Sequence, residues 1–390
     1  MSVLRSFPVH RAGEAGVRAI VDGLGMNRDD VQTFRLDEGS RVLEVEAVSD
    51  AAAERVAGFV ESMVRTHRLI APKVVRRTQA RELRIVEIDS LLAESADVQV
   101  LGKGLTGLRG DLLRLFRFFE REFRGIAAEF GAEENAFPVM VPAEVLAEVS
   151  YFHHFPQHVT FCSHLPDSLQ VLESVSHTIE QQDGALSEEV TSQLAAPEHV
   201  LTPGVCLPCY RLQRDVTLGP DEVRTLTMQN HVFRYEGSRF RPLARGWDFT
   251  VRDIVFFGRH EDMQRLRNEV IDRVLDFCEE LDLEVTVELA NDPFFLDASR
   301  DKAVAQRLGE AKFELLFPLP WRGEALAAAS FNIHRDFYTS VYNTRQGDGL
   351  AESSCMGFGM DRWVYGFLSQ KGLDPGGWGE RVRSSLDRVS

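Results

Sequence analysis

Two short segments, far apart in the chain, carry the residue types that bind a nucleotide. In Phe233-Arg-Tyr-Glu236 and the stretch after it, Arg234, Arg239, Arg241 and Arg245 supply guanidiniums, Glu236 a carboxylate and Phe249 an aromatic face. A guanidinium makes permanently charged, bidentate contacts to a phosphate, and a carboxylate can accept from an adenine amino group. A phenyl ring stacks on a base. For this segment alone, a surface hairpin whose Arg and Glu pair with each other is the competing outcome. The second segment, Ser354-Cys-Met-Gly-Phe-Gly-Met-Asp-Arg-Trp363, reads as a strand passing through Gly357 and Gly359 into a helix with Arg362 in its first turns. Glycines permit close backbone approach, and a helix N-terminus beside an arginine suits a polyphosphate. Packing Phe358 and Trp363 into a core is the other use of such a turn.

Periodicity outlines the elements that must position these residues. Residues 232–236 and 249–258 read as the strands of a long hairpin, which puts Arg234 and Glu236 on one face and Tyr235 on the other. Residues 262–281 have the spacing of an amphipathic helix, 283–289 and 327–332 of strands, and a final helix starts near Phe358. Leu112, Phe116, Phe119, Phe123, Ile126 and Phe130 step by 4,3,4,3,4, a helical stripe for a core or a subunit interface. The first hundred residues read as a small α/β unit, with a strand at 41–48, a helix at 51–67 and an extended pattern at 74–88, ending at a boundary near 95–110. Gly102-Lys-Gly-Leu-Thr-Gly107 superficially matches a dinucleotide fingerprint. No second strand with a ribose-binding acid follows at the required distance, so these glycines read as a linker. Residues 137–142 form a brief apolar strand closed by proline, and 180–196 a loop or exposed helix. Strand runs that include hairpins, with helices outside them, predict α+β architecture around an antiparallel sheet.

The whole-chain properties narrow the field. A net charge of −16 over 390 residues disfavours a broad nucleic-acid surface, which draws its affinity from Lys and Arg. One local basic stretch exists, Lys73, Arg76, Arg77, Arg81 and Arg84, either a docking patch or an ordinary solvated face. No apolar run approaches the ~20 residues that span a bilayer, and residues 1–20 are charged throughout, so a cytoplasmic protein is expected. Five scattered cysteines argue against a disulfide framework and leave metal ligands or buried thiols. Among them Cys206-x-x-Cys209 has a chelating spacing, whereas Cys278 lies on the apolar side of a helix. His153, His154, His158, Cys162 and His164 lack helical ligand spacing and read as packed or surface residues.

Taken together, the segments around Arg234 and Arg362 resemble motifs 2 and 3 of class II aminoacyl-tRNA synthetases, and Phe137 to Pro142 resembles motif 1, the dimer strand. Leu201-Thr-Pro-Gly-Val-Cys206, Ala290-Asn-Asp-Pro-Phe-Phe295, Lys312-Phe-Glu314, Ser330-Phe-Asn-Ile-His334 and Cys355 before the glycines resemble one branch. That branch comprises the amino acid:[carrier protein] ligases and the atypical methanogen-type seryl-tRNA synthetases. The resemblance covers residues of about 105 to 370. It implies a class II synthetase catalytic fold over 105–375, an antiparallel sheet flanked by helices, with an appended α/β domain over 1–100.

Carried over by position, the resemblance implies that Arg234 holds the ATP α-phosphate, Glu236 the adenine amino group and Arg362 the γ-phosphate, with Phe249 stacked on adenine. Arg241 or Arg245 would assist. Lys312, Glu314, Ser330 and Asn332 would line the amino-acid and ribose region. Cys206, Asp253 and Cys355 would hold a zinc ion that leaves one position for the substrate amine; Cys209 is the local rival to Cys206. The family has Glu where Asp253 stands, and an ATP- and Mg²⁺-binding Glu at the position of Leu326. Glu324 is the nearest acid and would share its strand face. The implied reaction activates a small amino acid (glycine, alanine or serine) with ATP, Mg²⁺ and Zn²⁺ as aminoacyl-adenylate. The aminoacyl group would then pass to the phosphopantetheine thiol of a carrier protein. A homodimer is expected and tRNA is not. Two rivals are an atypical seryl-tRNA synthetase, in which residues 1–100 bind tRNA, and a non-catalytic binding paralogue.

Overall fold

The computed structural model describes residues 2–37, 39–68, 73–237, 240–290 and 310–386. The chain opens with strand β1 (Val3–Pro8), helix α1 (Gly13–Met26), strands β2 (Val31–Asp37) and β3 (Val42–Ala47) and helix α2 (Asp50–Arg68). β3 lies between β1 and β2, antiparallel to both. Leu43 and Val45, two apart and so on one face, pack with Ile20, Leu24, Val56 and Val60 of the helices into a core of their own. The packing changes earlier than the boundary expected near 95–110. Of the extended pattern at 74–88 only β4 (Val74–Arg77) is a strand, and it joins the edge of the large sheet. There Arg76 meets Asp272 at 3.4 Å and Lys73 pairs with Glu310, so the basic stretch is partly neutralised.

The glycine-rich stretch is a hairpin, not a linker: β5 (Val98–Gly102) turns into β6 (Leu105–Leu108). Gly104 has φ +82°, and a β-carbon there would sit 2.3 Å from the Trp247 side chain. The Trp247 amide donates to Gly104 O at 2.8 Å. The hairpin tip thus braces the segment that carries Arg245. Helix α3 (Gly110–Glu129) follows and buries Leu112, Leu115, Phe118, Phe119, Phe123 and Ile126. Of its two expected uses, the stripe serves the core.

Next come β7 (Glu133–Asn135) and a separate small sheet of β8 (Met140–Pro142), β9 (Thr160–Cys162) and β10 (His199–Leu201). Helix α4 (Leu207–Leu212), strands β11 (Arg224–Phe233) and β12 (Asp248–Gly258) and helix α5 (His260–Glu280) precede β13 (Thr286–Leu289). The chain then runs through β14 (Lys312–Leu319), β15 (Glu324–Arg335), β16 (Glu352–Gly359) and helix α6 (Met360–Lys371). The large sheet has eight strands in the order β4-β13-β14-β15-β16-β12-β11-β7. All its neighbours are antiparallel except the β11–β7 pair. This is the α+β architecture that the pattern predicts.

Strand alternation divides this sheet into two chemically different faces. Ile254, Phe256, Phe313, Leu315, Phe331, Met356 and Phe358 pack on α3, α5 and α6. Phe123 stacks on Phe358 with centroids 4.4 Å apart. Their sequence neighbours Asp253, Lys312, Glu314, Ser330, Asn332, Cys355 and Gly357 turn to the other face and line one cavity.

Candidate active site

That cavity has a volume of about 270 Å³. At one end it is lined by Arg234, Glu236, Phe249, Gly359 and Arg362. Arg234 and Glu236 lie in the loop just past β11 rather than on a strand, yet both reach the cavity. Arg234 Nε donates to Pro203 O at 2.9 Å, and its guanidinium stands 5.7 Å from the Phe249 centroid. Arg362 donates to Ala244 O and Ala327 O, each at 3.0 Å, so two backbone carbonyls aim it. Burial pulls its pKa down to about 10, and the neighbouring Arg245 adds to the effect; it still carries a full charge near neutrality.

Two expected nucleotide ligands stand one contact back from the cavity. Arg245 donates to Glu236 at 3.0 Å, and Glu324 accepts from Arg241 at 2.7 Å. Arg239 lies outside the described residues, as does most of the Ala290-Asn-Asp-Pro-Phe-Phe295 stretch. Leu326 is only 5% exposed, sits opposite Phe317 and belongs to the helix-side core. Its position therefore offers no route to the cavity. Glu324, the first residue of β15, reaches Arg241 because the strand begins there.

Toward its other end the cavity holds a different set of groups. Cys206 is the N-cap residue of α4, Asp253 lies on β12, and Cys355 on the adjacent β16. Their donor atoms lie within 4.8 Å of one another, the one such His/Cys/Asp/Glu group found among the described residues. Asp253 and Cys355 are each 4% exposed. Burial raises Asp253 to about 6, offset in part by hydrogen bonds from the two thiols. A hydrogen bond with Cys206 and then burial hold the Cys355 thiol well up. For Cys206 the bond with Cys355 acts downward, but burial and the Asp253 charge outweigh it. Three groups that repel one another when ionised are thus held together, two of them buried and Cys206 partly so. Two sulfurs and one oxygen with room for a fourth ligand suit zinc, whose bonds of about 2.0–2.3 Å need only small shifts here. Cys209, one helical step further, is fully buried and outside the group. The residues 153–164 do not form a metal cluster, and Cys278 is core.

Register fixes the wall beside this group. Lys312 stands opposite Asn332, which stands opposite Cys355; Glu314 stands opposite Ser330, which stands opposite Gly357. Lys312 and Glu314 pair at 3.1 Å, and Asn332 donates to Cys355 O at 3.3 Å. A β-carbon on Gly357 would come within 2.8 Å of Asp253, so only glycine leaves this part of the wall open. Sequence reasoning overlooked Tyr151, His334 and Tyr338, which also line the cavity. His334 continues the two-residue step of Ser330 and Asn332 and could have been found from it. It also overlooked Asp22 of α1, whose carboxylate lies 3.9 Å from Arg245, a long-range contact without a local signal.

The eight-stranded sheet with its covering helices has the fold of a class II aminoacyl-tRNA synthetase catalytic domain. A solved complex of the Methanopyrus kandleri seryl-tRNA synthetase with A. aeolicus tRNASec superposes with a TM-score of 0.73 at 23% identity, covering 92% of this chain and 74% of that one. The cytoplasmic serine–tRNA ligase of Naegleria fowleri, solved with AMP, gives a TM-score of 0.60 at 14% identity, over 87% of this chain and 80% of that one. No protein-family profile matches the chain.

In sequence the chain is a relative of the type-2 serine–tRNA ligases and of an amino acid–[acyl-carrier-protein] ligase. It is 26% identical to the type-2 serine–tRNA ligase of M. kandleri over 279 residues, 67% of this chain and 52% of that protein. It is 28% identical to amino acid–[acyl-carrier-protein] ligase 1 of Bradyrhizobium diazoefficiens over 264 residues, 66% of this chain and 77% of that protein. The match thus spans about half the length of the serine–tRNA ligases.

Proposed function

We propose that the protein activates a small amino acid with ATP and passes it, through the aminoacyl-adenylate, to the phosphopantetheine thiol of a carrier protein. The observation that carries this reading is the juxtaposition, in one cavity, of Arg234, Glu236, Phe249 and Arg362 with the Cys206–Asp253–Cys355 group. An amino-acid carboxylate oxygen attacks the α-phosphorus of ATP, the bond to the β-phosphate oxygen breaks, and pyrophosphate leaves. The thiol sulfur then attacks the activated carbonyl carbon, AMP departs with the former carboxylate oxygen, and the thiol proton passes to solvent. The protein positions reactants and spreads charge rather than acting as nucleophile.

Residue by residue, Arg234 neutralises the α-phosphate, Arg362 the γ-phosphate, and Phe249 with Glu236 reads the base. Arg245 and Glu324 join the nucleotide only after parting from Glu236 and Arg241. Cys206, Asp253 and Cys355 would hold zinc, which when bound would supply a Lewis-acid site for the substrate amine. Ser330, Asn332, Lys312 and Glu314 form the wall against the amino acid, and Mg²⁺ would supply charge neutralisation to the ATP phosphates.

A second reading, tRNA charging, is favoured by one observation: the M. kandleri superposition covers 92% of the chain and so extends into residues 1–100. ATP–pyrophosphate exchange across the amino acids, followed by transfer to holo carrier proteins beside total tRNA, tests both. Exchange with a small amino acid and transfer to a carrier thiol is the expected result. Efficient tRNA charging would replace the carrier reading, and no exchange with any amino acid would leave only a binding role.

A further inference from the structure

We infer that Tyr210 is a positioning residue for the metal centre, its hydroxyl donating a hydrogen bond to the cysteine sulfurs once they hold zinc. The inference rests on the zinc reading above and extends it to a side chain outside the cavity lining. Tyr210 lies on α4 four residues after Cys206, so the two project from the same face of one turn. Its amide bonds back to Cys206 O at 3.4 Å. Three neighbours fix the ring. Tyr338 stacks on it with centroids 4.0 Å apart, Phe257 meets it edge-on at 5.5 Å, and His334 at 6.1 Å. Held this way, the phenol is 1% exposed and its oxygen has no hydrogen-bond partner.

Buried hydroxyls without partners are rare, and each calls for a physical reason. The groups that surround this one identify it. Its ring packs in one cluster with Cys206, Cys209 and Cys355, and Cys206 stands one turn before it on the same helix face. Neutral thiols are poor acceptors, whereas a metal-bound sulfur carries the negative charge that makes an O–H donor worthwhile. Small shifts of Cys206 and Cys355 onto a metal bring that charge toward a donor whose ring cannot turn away. Partners of this outer kind orient the ligands, and their loss lowers metal affinity about 10- to 100-fold.

The test is Tyr210→Phe in the full chain, which removes only the oxygen. Zinc affinity by chelator competition should fall about 10- to 100-fold, and the sulfur-to-metal charge-transfer band of the cobalt-substituted protein should shift. The metal-free variant should melt no lower than metal-free wild type, because no hydrogen bond is lost. Tyr210→Leu, which removes the ring packing as well, should lower the metal-free melting temperature and so reports the structural contribution separately. Equal zinc affinity and an unshifted cobalt band in Tyr210→Phe would overturn the inference while leaving the metal centre intact. If wild type and Cys206→Ala both fail to bind zinc, the zinc reading falls as well.

Discussion

The two ends of the cavity are prepared to different degrees. At the metal end, Asp253 and Cys355 project from adjacent strands in the middle of the sheet, and Cys206 is pinned at the start of α4. All three are assembled before anything binds, with Asp253 and Cys355 buried and Cys206 partly so. At the nucleotide end, several charged groups are engaged with one another: Arg245 with Glu236, and Arg241 with Glu324. Those internal carboxylates occupy guanidiniums that a triphosphate would claim. In the proposed reading the Cys206–Asp253–Cys355 group is a preassembled seat for the metal, and the nucleotide end has to exchange partners. Arg234 and Arg362 are the exceptions there, because their carbonyl partners leave part of each guanidinium available to a phosphate.

Arg362→Ala should therefore have the largest effect of any single change. Removing a preaimed, buried charge from a developing phosphate transition state costs about 10³-fold, read as ATP–pyrophosphate exchange per folded enzyme. Arg245→Ala should cost far less, chiefly in KM for ATP, because Arg245 must first leave Glu236. Equal losses in the two variants would erase the distinction between seat and exchange.

Leu326→Glu tests the same end from below. Placing the family's carboxylate at this position looks like a repair, but the side chain faces Phe317 and the helices, not the nucleotide. A buried, unpaired carboxylate should destabilise the protein by about 3 kcal/mol or more. Chemical denaturation would show it as a lower midpoint, with no gain in exchange. Improved ATP binding at unchanged stability would mean that β15 can turn this residue to the cavity.

At the metal end, the proposed reading expects about one zinc per chain in wild type and near zero in Cys355→Ala. Amino-acid KM should rise about 100-fold, while ATP affinity changes little. A parallel loss of ATP affinity would tie the two ends into one cooperative unit.

This contrast also explains how much the sequence could disclose. Arg234, Glu236 and Arg362 lie in short contiguous motifs, and the family resemblance, not periodicity, pointed to Asp253, Ser330, Asn332 and Cys355, which the sheet brings to one cavity. The hairpin, the Phe-rich helix and the α+β class follow from alternation and heptad-like spacing. Other features depend on distant partners. Glu324 looked equivalent to Leu326 by strand parity, but only the start of β15 lets it reach Arg241. The glycine-rich 102–107 stretch makes sense only with Trp247 above it, more than a hundred residues away. Asp22 at Arg245 and the pairing of β4 with β13 likewise have no local trace.

Part of the nucleotide end is nonetheless preassembled, and pH should reveal it. The Asp361 carboxylate, beside Arg362, accepts from the Thr250 amide at 2.8 Å and so ties α6 to the start of β12. Burial raises its pKa to about 6; the Thr250 bond acts against this, Asp248 adds to it, and His231 opposes it. The folded protein thus binds this proton more tightly than the unfolded chain does. Its stabilising contribution is complete below the ordinary aspartate value near 4 and is lost as pH rises through about 6. Asp361→Asn keeps an acceptor for Thr250 without the titration. Relative to wild type, the variant should gain about 2 kcal/mol of stability between pH 4 and pH 7.5. Parallel stability curves across that range would show that Asp361 is ionised at no cost.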